Sequence, residues 1–288
     1  MTGFSSHWLA LREPIDHASR SMAVRNAMIG ELRRRHGRTL SKLKVVDLGC
    51  GSGSNLRAIA PLLGREQSWR LLDYDPALLE AARHAISDWS DTVVSDTSEV
   101  LIVRKGTCEI QVEFVQADLN RDFSEWLDTS KTDLLTASAL LDLVSEHWIE
   151  KFSAALACPL YAVLTYDGRM QWTPAHPLDS AIVQAFNAHL LTDKGFGPAA
   201  GWKAVDLLEP LMLERGATVV KGDSTWHLTN KEASLHHQLL QGVAVAVGET
   251  GLIKSPDIND WLAFRLNVPA GAIGHLDVFV TPGQSIAD

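Results

Sequence analysis

The sequence predicts an α/β fold, doubly wound around a mostly parallel sheet. Three observations carry this: apolar runs that end on an acid, helical periodicity between them, and a glycine-rich turn where the first run meets its helix. Lys44-Val45-Val46-Asp47-Leu48 reads as a short strand running into Gly49-Cys50-Gly51-Ser52-Gly53-Ser54-Asn55. Leu56, Ile59, Ala60 and Leu63 then recur at helical spacing, so the turn opens a helix. Glycine at every second position lets the backbone adopt positive φ and lie directly against a ligand.

Three kinds of turn share this outline. A Walker loop ends on Gly-Lys-Ser/Thr, whereas Ser54 and Asn55 follow the last glycine here. A dinucleotide loop needs Gly-x-Gly-x-x-Gly, and its third glycine falls on Ser54 or Leu56, so that match is partial. Asp47 is also out of place beside a pyrophosphate, because like charges repel. An acid suits a ligand that brings an amine or a sulfonium. Taken alone, the segment also fits an ordinary strand-to-helix turn.

The second strand narrows the choice. Trp69-Arg70-Leu71-Leu72-Asp73 is apolar and ends on an acid about 20 residues past the glycines, where a ribose-binding carboxylate belongs. Tyr74 is placed to lie along an adenine face. Asp75 and Pro76 start a helix as N-cap and first residue, and Leu78, Leu79, Ala82, Ala85, Ile86 and Trp89 form its apolar stripe. Val112 to Leu119 reads as a third strand ending on Asp118, which by spacing alone also fits a surface carboxylate. Asp133 to Ser138 reads as the fourth strand and Tyr161 to Asp167 as the fifth. Strand ends along one edge of a parallel sheet are where open α/β folds bind ligands.

Asp47-x-Gly49-x-Gly51-x-Gly53 after a strand, with Asp73 and Asp118 at later strand ends, resembles the class I S-adenosylmethionine-dependent methyltransferases across roughly residues 44–167. The resemblance implies a Rossmann-like sheet of seven strands with an antiparallel last strand. It implies S-adenosyl-L-methionine as cofactor, held by Asp47, Gly49, Gly51, Gly53, Asn55, Asp73, Tyr74, Asp118, Leu119 and Ser138. Asp118 would accept from the adenine amine and the Leu119 amide would meet the ring. It further implies a small-molecule methyl acceptor. The Asn/Asp-Pro-Pro-Tyr/Phe clamp of adenine-methylating relatives is absent, since Ala137-Ser138-Ala139-Leu140 stands there.

The remaining segments elaborate this plan. Residues 7–40 read as helical, and the resemblance makes residues 1–43 a cap over the cofactor, with Asp16, His17 and Arg20 turned to the site. Val100 to Val103 and Glu109 to Val112 flank Arg104-Lys105-Gly106-Thr107 as a hairpin that extends the sheet. The stretch 168–204 carries Trp172, His176, His189, Lys194 and Trp202; the resemblance implies that it forms the acceptor pocket with Arg20, while the residues themselves equally fit a surface loop with its own aromatic cluster. Asp167 and His176 are candidate bases by location. Gly216 to Leu228 reads as the sixth strand and His275 to Val280 as the last, with two helices between them over residues 231–265. The expected organisation is the 1–43 cap and a 44–288 methyltransferase domain with insertions at 91–110, 168–204 and 231–265.

Composition closes off other classes. At 288 residues, 46% hydrophobic and 21% charged, the chain can bury a large soluble core. A net charge of −9 opposes nucleic acid binding, which needs Lys and Arg against phosphates. Arg33-Arg34-Arg35 reads instead as a solvated helix face. Cys50, Cys108 and Cys158 cannot all pair and lack metal spacing. Adjacent His236 and His237 point to different helix faces, so no metal is expected. Neither a signal sequence nor a membrane-spanning run is expected, which places the chain in the cytoplasm. Two rival readings remain at this level: an NAD(P)-dependent oxidoreductase, and a cofactor-binding partner subunit without activity.

Overall fold

The computed structural model describes residues 5–40, 42–121, 131–268 and 270–283. In chain order, α1 (Ser6–Ser19) and α2 (Met22–His36) precede β1 (Leu43–Leu48), α3 (Ser54–Ile59), β2 (Glu66–Asp73) and α4 (Pro76–Trp89). Next come β3 (Thr92–Asp96), β4 (Val100–Lys105), β5 (Cys108–Gln116), β6 (Leu134–Ser138), α5 (Glu146–Ala155) and β7 (Leu160–Trp172). The chain ends with α6 (Asp179–Leu190), α7 (Ala204–Glu214), β8 (Thr218–Asp223), β9 (Trp226–Leu228), α8 (Ala233–Thr250), α9 (Ser255–Leu266) and β10 (Gly271–Thr281).

Seven of these strands form the expected sheet, in the order β5-β2-β1-β6-β7-β10-β8. Pairing is parallel from β5 to β7, and β10 runs antiparallel to both β7 and β8. Successive residues of one strand enter opposite layers, as the two-residue period of a strand requires. Val45 and Leu71 pack with Met28, Leu32, Ile59 and Ile86 on one side. Val46 and Leu72 pack with Trp148, Phe152, Leu208 and Met212 on the other. Both faces are covered, so β1 is apolar throughout except Lys44 at its start and Asp47 near its end. Asp75 caps α4 by accepting from the Ala77 amide at 2.8 Å.

The structure departs from the sequence expectation in four places. β5 runs unbroken from Cys108 to Gln116, so the second arm of the hairpin and the third strand are one element. β3, outside β4, adds a further edge strand that its short exposed sequence did not signal. The sixth strand is interrupted at Ser224 and Thr225, and its two parts, β8 and β9, pair with successive stretches of β10. β7 continues five residues beyond Asp167 because the start of β10 pairs with it, Gly271 opposite Trp172. Trp172 is therefore a strand residue and not part of a loop.

The N-terminal segment divides in two. α2 buries Val24, Met28 and Leu32 against the sheet near β8 and β10, and the Ser21 amide donates to Asp277 at 2.8 Å. Only α1 is left to reach across the glycine turn. Residues 1–4 of the expected cap lie outside the described residues. Both helices anticipated over 231–265 are present, and α8 packs against α6 and α9. Among the described residues no helix is long and apolar enough to cross a membrane.

Candidate functional site

The glycine turn sits between β1 and α3 at the carboxyl edge of the parallel strands. Gly49, Gly51 and Gly53 have φ of 62°, 54° and 75°, the left-handed region that favours glycine. Asp73, at the end of β2, fixes the turn from outside. Its Oδ2 accepts from the Gly51 amide at 2.8 Å and its Oδ1 from the Asp75 amide at 3.0 Å. Burial still holds the Asp73 carboxyl above the usual carboxylate range. Cys50 lies inside the turn, and burial pushes its thiol well up, which makes it a poor nucleophile.

Asp47 is buried beneath the turn. Its Oδ1 accepts from Asn55 Nδ2 at 2.7 Å and Thr136 Oγ1 at 2.6 Å, while its Oδ2 has no partner. Burial raises the carboxyl to about 6 despite these bonds and the nearby Arg20. Arg20 Nη1 donates to Asn55 Oδ1 at 2.7 Å, and its buried Nε and Nη2 have no partner. Asn55 thus bridges a cation and an anion, each with an unmet hydrogen bond.

α1 lies directly on this assembly. A Cβ at Gly51 would stand 3.1 Å from Leu9 Cδ1. Glu13 takes both Arg57 Nε, at 2.8 Å, and Arg57 Nη2. His17 Nε2 stands 3.0 Å from Ser54 Oγ and 3.1 Å from its carbonyl. Residues 9, 13, 17 and 20 follow helical spacing, so one face of α1 closes the turn.

The other residues singled out from the sequence are more scattered. Tyr74 is exposed beyond β2. Asp118 Oδ1 accepts from the Asn120 amide at 3.0 Å, and Arg121 Nε lies 3.4 Å from its other oxygen. Leu119 is buried, and its carbonyl accepts from Trp148 Nε1 at 2.8 Å. Ser138 ends β6 beside β7. These stand at successive strand ends around the turn.

Of the five residues expected to line the acceptor pocket, His189 and Lys194 meet, with Lys194 Nζ 3.5 Å from His189 Nδ1, and the others stand apart. Arg20 belongs to the Asp47 assembly. Trp172 is buried, donates from Nε1 to His236 Nε2 at 3.0 Å, and meets Trp261 edge-on at 5.4 Å. Trp202 instead packs over Gly168, four strand positions and about 13 Å along β7 from Trp172. His189 Nε2 pairs with Glu249 at 2.8 Å, and Lys194 Nζ reaches Thr192 at 2.9 Å. The candidate bases are also committed. Asp167 is ion-paired with Arg169, and His176 Nδ1 accepts from the Leu178 amide at 3.2 Å at the start of α6.

A different group, of which the sequence singled out only Asp16, stands beside the glycine turn. Arg12 on α1 binds Asp16 through two bonds of 2.8 and 3.3 Å and lies 5.0 Å over the Trp226 ring. Trp226 packs against His275 at 4.8 Å, and His275 against Tyr166 at 6.2 Å. Tyr166 donates its hydroxyl to Asn187 at 3.0 Å. Asp142, just past β6, is buried with Oδ1 unpartnered, and burial raises it to about 6. The one signal in the sequence was an acid inside the apolar run Ala139-Leu140-Leu141-Asp142-Leu143-Val144.

No protein-family model and no curated protein matches the chain. Solved structures do. A cyclopropane-fatty-acyl-phospholipid synthase-like protein from Lactobacillus casei aligns at a TM-score of 0.51 with 12% identity, over 94% of this chain and 98% of that one. The fold is shared. At that identity the alignment establishes architecture and leaves the reaction to the site. Weaker alignments include a Haemonchus contortus phosphoethanolamine N-methyltransferase in complex with S-adenosylhomocysteine, at a TM-score of 0.42 and 11% identity. It covers 90% of this chain and 53% of that one. An arsenic(III) S-adenosylmethionine methyltransferase from Chlamydomonas reinhardtii aligns at 0.42 with 16% identity, over 85% and 64% of the two chains. The shared fold is the Rossmann-like, doubly wound sheet with an antiparallel last strand that the sequence led us to expect.

Proposed function

We propose that the protein is an S-adenosylmethionine-dependent methyltransferase acting on a small molecule. The observation that carries this is the Arg20-Asn55-Asp47 bridge at the glycine turn. Its unmet donors on Arg20 and unmet acceptor on Asp47 match the carboxylate and ammonium of an amino acid. Buried polar atoms left unpaired are costly, so such a pair is best understood as completed by a ligand. A nicotinamide dinucleotide fits poorly, because its pyrophosphate would meet Asp47 and Asp73 together.

The residues present suit the cofactor. Arg20 and Asp47 would hold its amino-acid end, and the remaining lone pairs of Asp73 its ribose hydroxyls. Asp118, Leu119 and Tyr74 stand at the neighbouring strand ends for the adenine. When bound, the cofactor supplies a methyl group already activated by its sulfonium. The protein's task is then alignment and exclusion of water. α1 performs part of this by covering the turn. Asp167 has no basic role in this scheme, since Arg169 holds it as an ion pair.

The test is calorimetric titration with S-adenosylhomocysteine. Wild type should bind it, and Asp73→Ala should lose about 100-fold, the effect of a charged acceptor removed from a partly buried site. Unchanged affinity in the variant, or wild-type preference for NAD, refutes the reading.

A further inference from the structure

The group formed by Arg12, Asp16, Asp142, Tyr166, Trp226 and His275 has a charge imbalance. Arg12 and Asp16 neutralise one another through two hydrogen bonds. Burial pushes His275 down to about 3, so it is neutral at physiological pH. Its Nδ1 lies 3.0 Å from the Ile273 carbonyl, which only an N–H can satisfy, so the ring proton sits there. Tyr166 keeps its proton, since burial raises the phenol further. Asp167 and Asp223, which also face Tyr166 and His275, share Arg169, so Asp142 is the carboxylate with no ion-pair partner.

That carboxylate is more than nine-tenths buried, and its Oδ1 has no partner. Among the described residues its own backbone amide is the only hydrogen-bond donor acting on the carboxylate, and its main-chain carbonyl is taken by the Gly201 amide at 3.1 Å. An ionised carboxylate in such a place is expensive unless a cation or strong donors complete it. Arg12 acts on it only through space. Tyr166 is close enough to feel the Asp142 charge, and the face of a phenol ring attracts cations. The Trp226 face is taken by Arg12 at 5.0 Å, which leaves Asp142 as the group that lacks a counterpart.

We infer that Asp142 anchors an ammonium group of the methyl acceptor, with Tyr166 as its aromatic neighbour, so the substrate class is a small amine. This rests on the methyltransferase reading, because it takes the group beside the cofactor seat as the acceptor side. The anchor positions the acceptor and takes no proton from it.

The experiment uses one carbon frame with three head groups: 2-phenylethylamine, 2-phenylethanol and 3-phenylpropionate. Each is titrated by ligand-observed NMR against the full chain saturated with S-adenosylhomocysteine. Wild type should bind the amine about tenfold more tightly than the alcohol and the carboxylate least. Asp142→Asn should abolish that preference while keeping S-adenosylhomocysteine affinity within about twofold, and Asp142→Glu should restore part of it. Equal binding of all three, preference for the carboxylate, or binding of none overturns the inference while S-adenosylhomocysteine binding leaves the methyltransferase reading standing. Loss in Asp142→Asn of S-adenosylmethionine affinity relative to S-adenosylhomocysteine would assign the carboxylate to the donor sulfonium, and also overturns it. Failure of wild type to bind S-adenosylhomocysteine defeats the underlying reading itself.

Discussion

At the cofactor seat, Asp47, the three glycines, Asn55 and Asp73 come from one continuous passage, β1 to β2, and bond to one another. On the proposed acceptor side, Arg12, Asp142, Tyr166, Trp226 and His275 come from five separate segments brought together by the tertiary fold. α1 serves both, with Leu9, Glu13 and His17 on the turn and Arg12 and Asp16 on the adjoining row of the helix, where Arg12 meets Trp226. A seat that must present backbone to a ligand needs a fixed local turn, so its residues stay close in sequence. A pocket that only needs side chains of a given charge can be assembled from anywhere. The contrast explains why the donor motif is a pattern and the acceptor site is not.

The largest expected effect separates either side from the helical extension. Trp172 is part of a buried polar knot with His236, Trp261, Arg265 and Asp179. Trp172→Ala should cost about 3–5 kcal/mol of stability through the cavity and the stranded His236 acceptor. Chemical denaturation measures this. S-adenosylhomocysteine affinity of the folded fraction should stay near wild type. A variant of normal stability that fails only in acceptor binding would return Trp172 to the pocket.

This also marks how far the sequence could be read. The turn, the acids at strand ends and the two faces of each core strand were legible because period and contiguity encode them. Trp172 was placed in a loop because nothing in Gly168-Arg169-Met170-Gln171 announces that β10 will pair there. Asp142 was invisible because a single acid in an apolar run carries no spacing. Asp16 was expected to face the site, but nothing in the sequence gave Arg12 a role, since only the tertiary position of Trp226 supplies one.

The next effect tests the donor seat by pH. Burial raises Asp47 from an ordinary 3.8 to about 6 in the folded chain. Well below pH 4 both folded and unfolded states hold the proton, and no penalty exists. Between pH 4 and 6 the unfolded chain ionises while the folded state keeps its proton, so the penalty grows to about 3 kcal/mol and is complete above pH 6. Arg20 offsets part of the charge and Asp73 adds to it. Asp47→Asn keeps an acceptor for Asn55 and Thr136, so it should stabilise the ligand-free protein at pH 8 and change little at pH 4. The same variant should bind S-adenosylhomocysteine more weakly at pH 8, since the ligand's ammonium loses its counter-charge. Denaturation curves at both pH values decide it, and a gain independent of pH would show that Asp47 is not the titrating group.

The smallest effect concerns the helix that the two sides share. Glu13 holds Arg57, and Arg57 Nη1 also donates to the Ser52 carbonyl at 2.7 Å, so one ion pair ties α1 to the glycine turn. Glu13→Gln keeps the shape and removes the charge, which should weaken the tie by about 1.5 kcal/mol. The loss should be local, because the buried core of α2 does not depend on it. Amide exchange should therefore quicken across Ser6–Ser19 by about tenfold while α2 and β1 keep their protection. If α1 is a cover common to both sides, S-adenosylhomocysteine and acceptor binding should weaken together in this variant, unlike in Asp73→Ala or Asp142→Asn. Weakening of one alone would show that the two faces of α1 act independently, and would divide the site where the present geometry joins it.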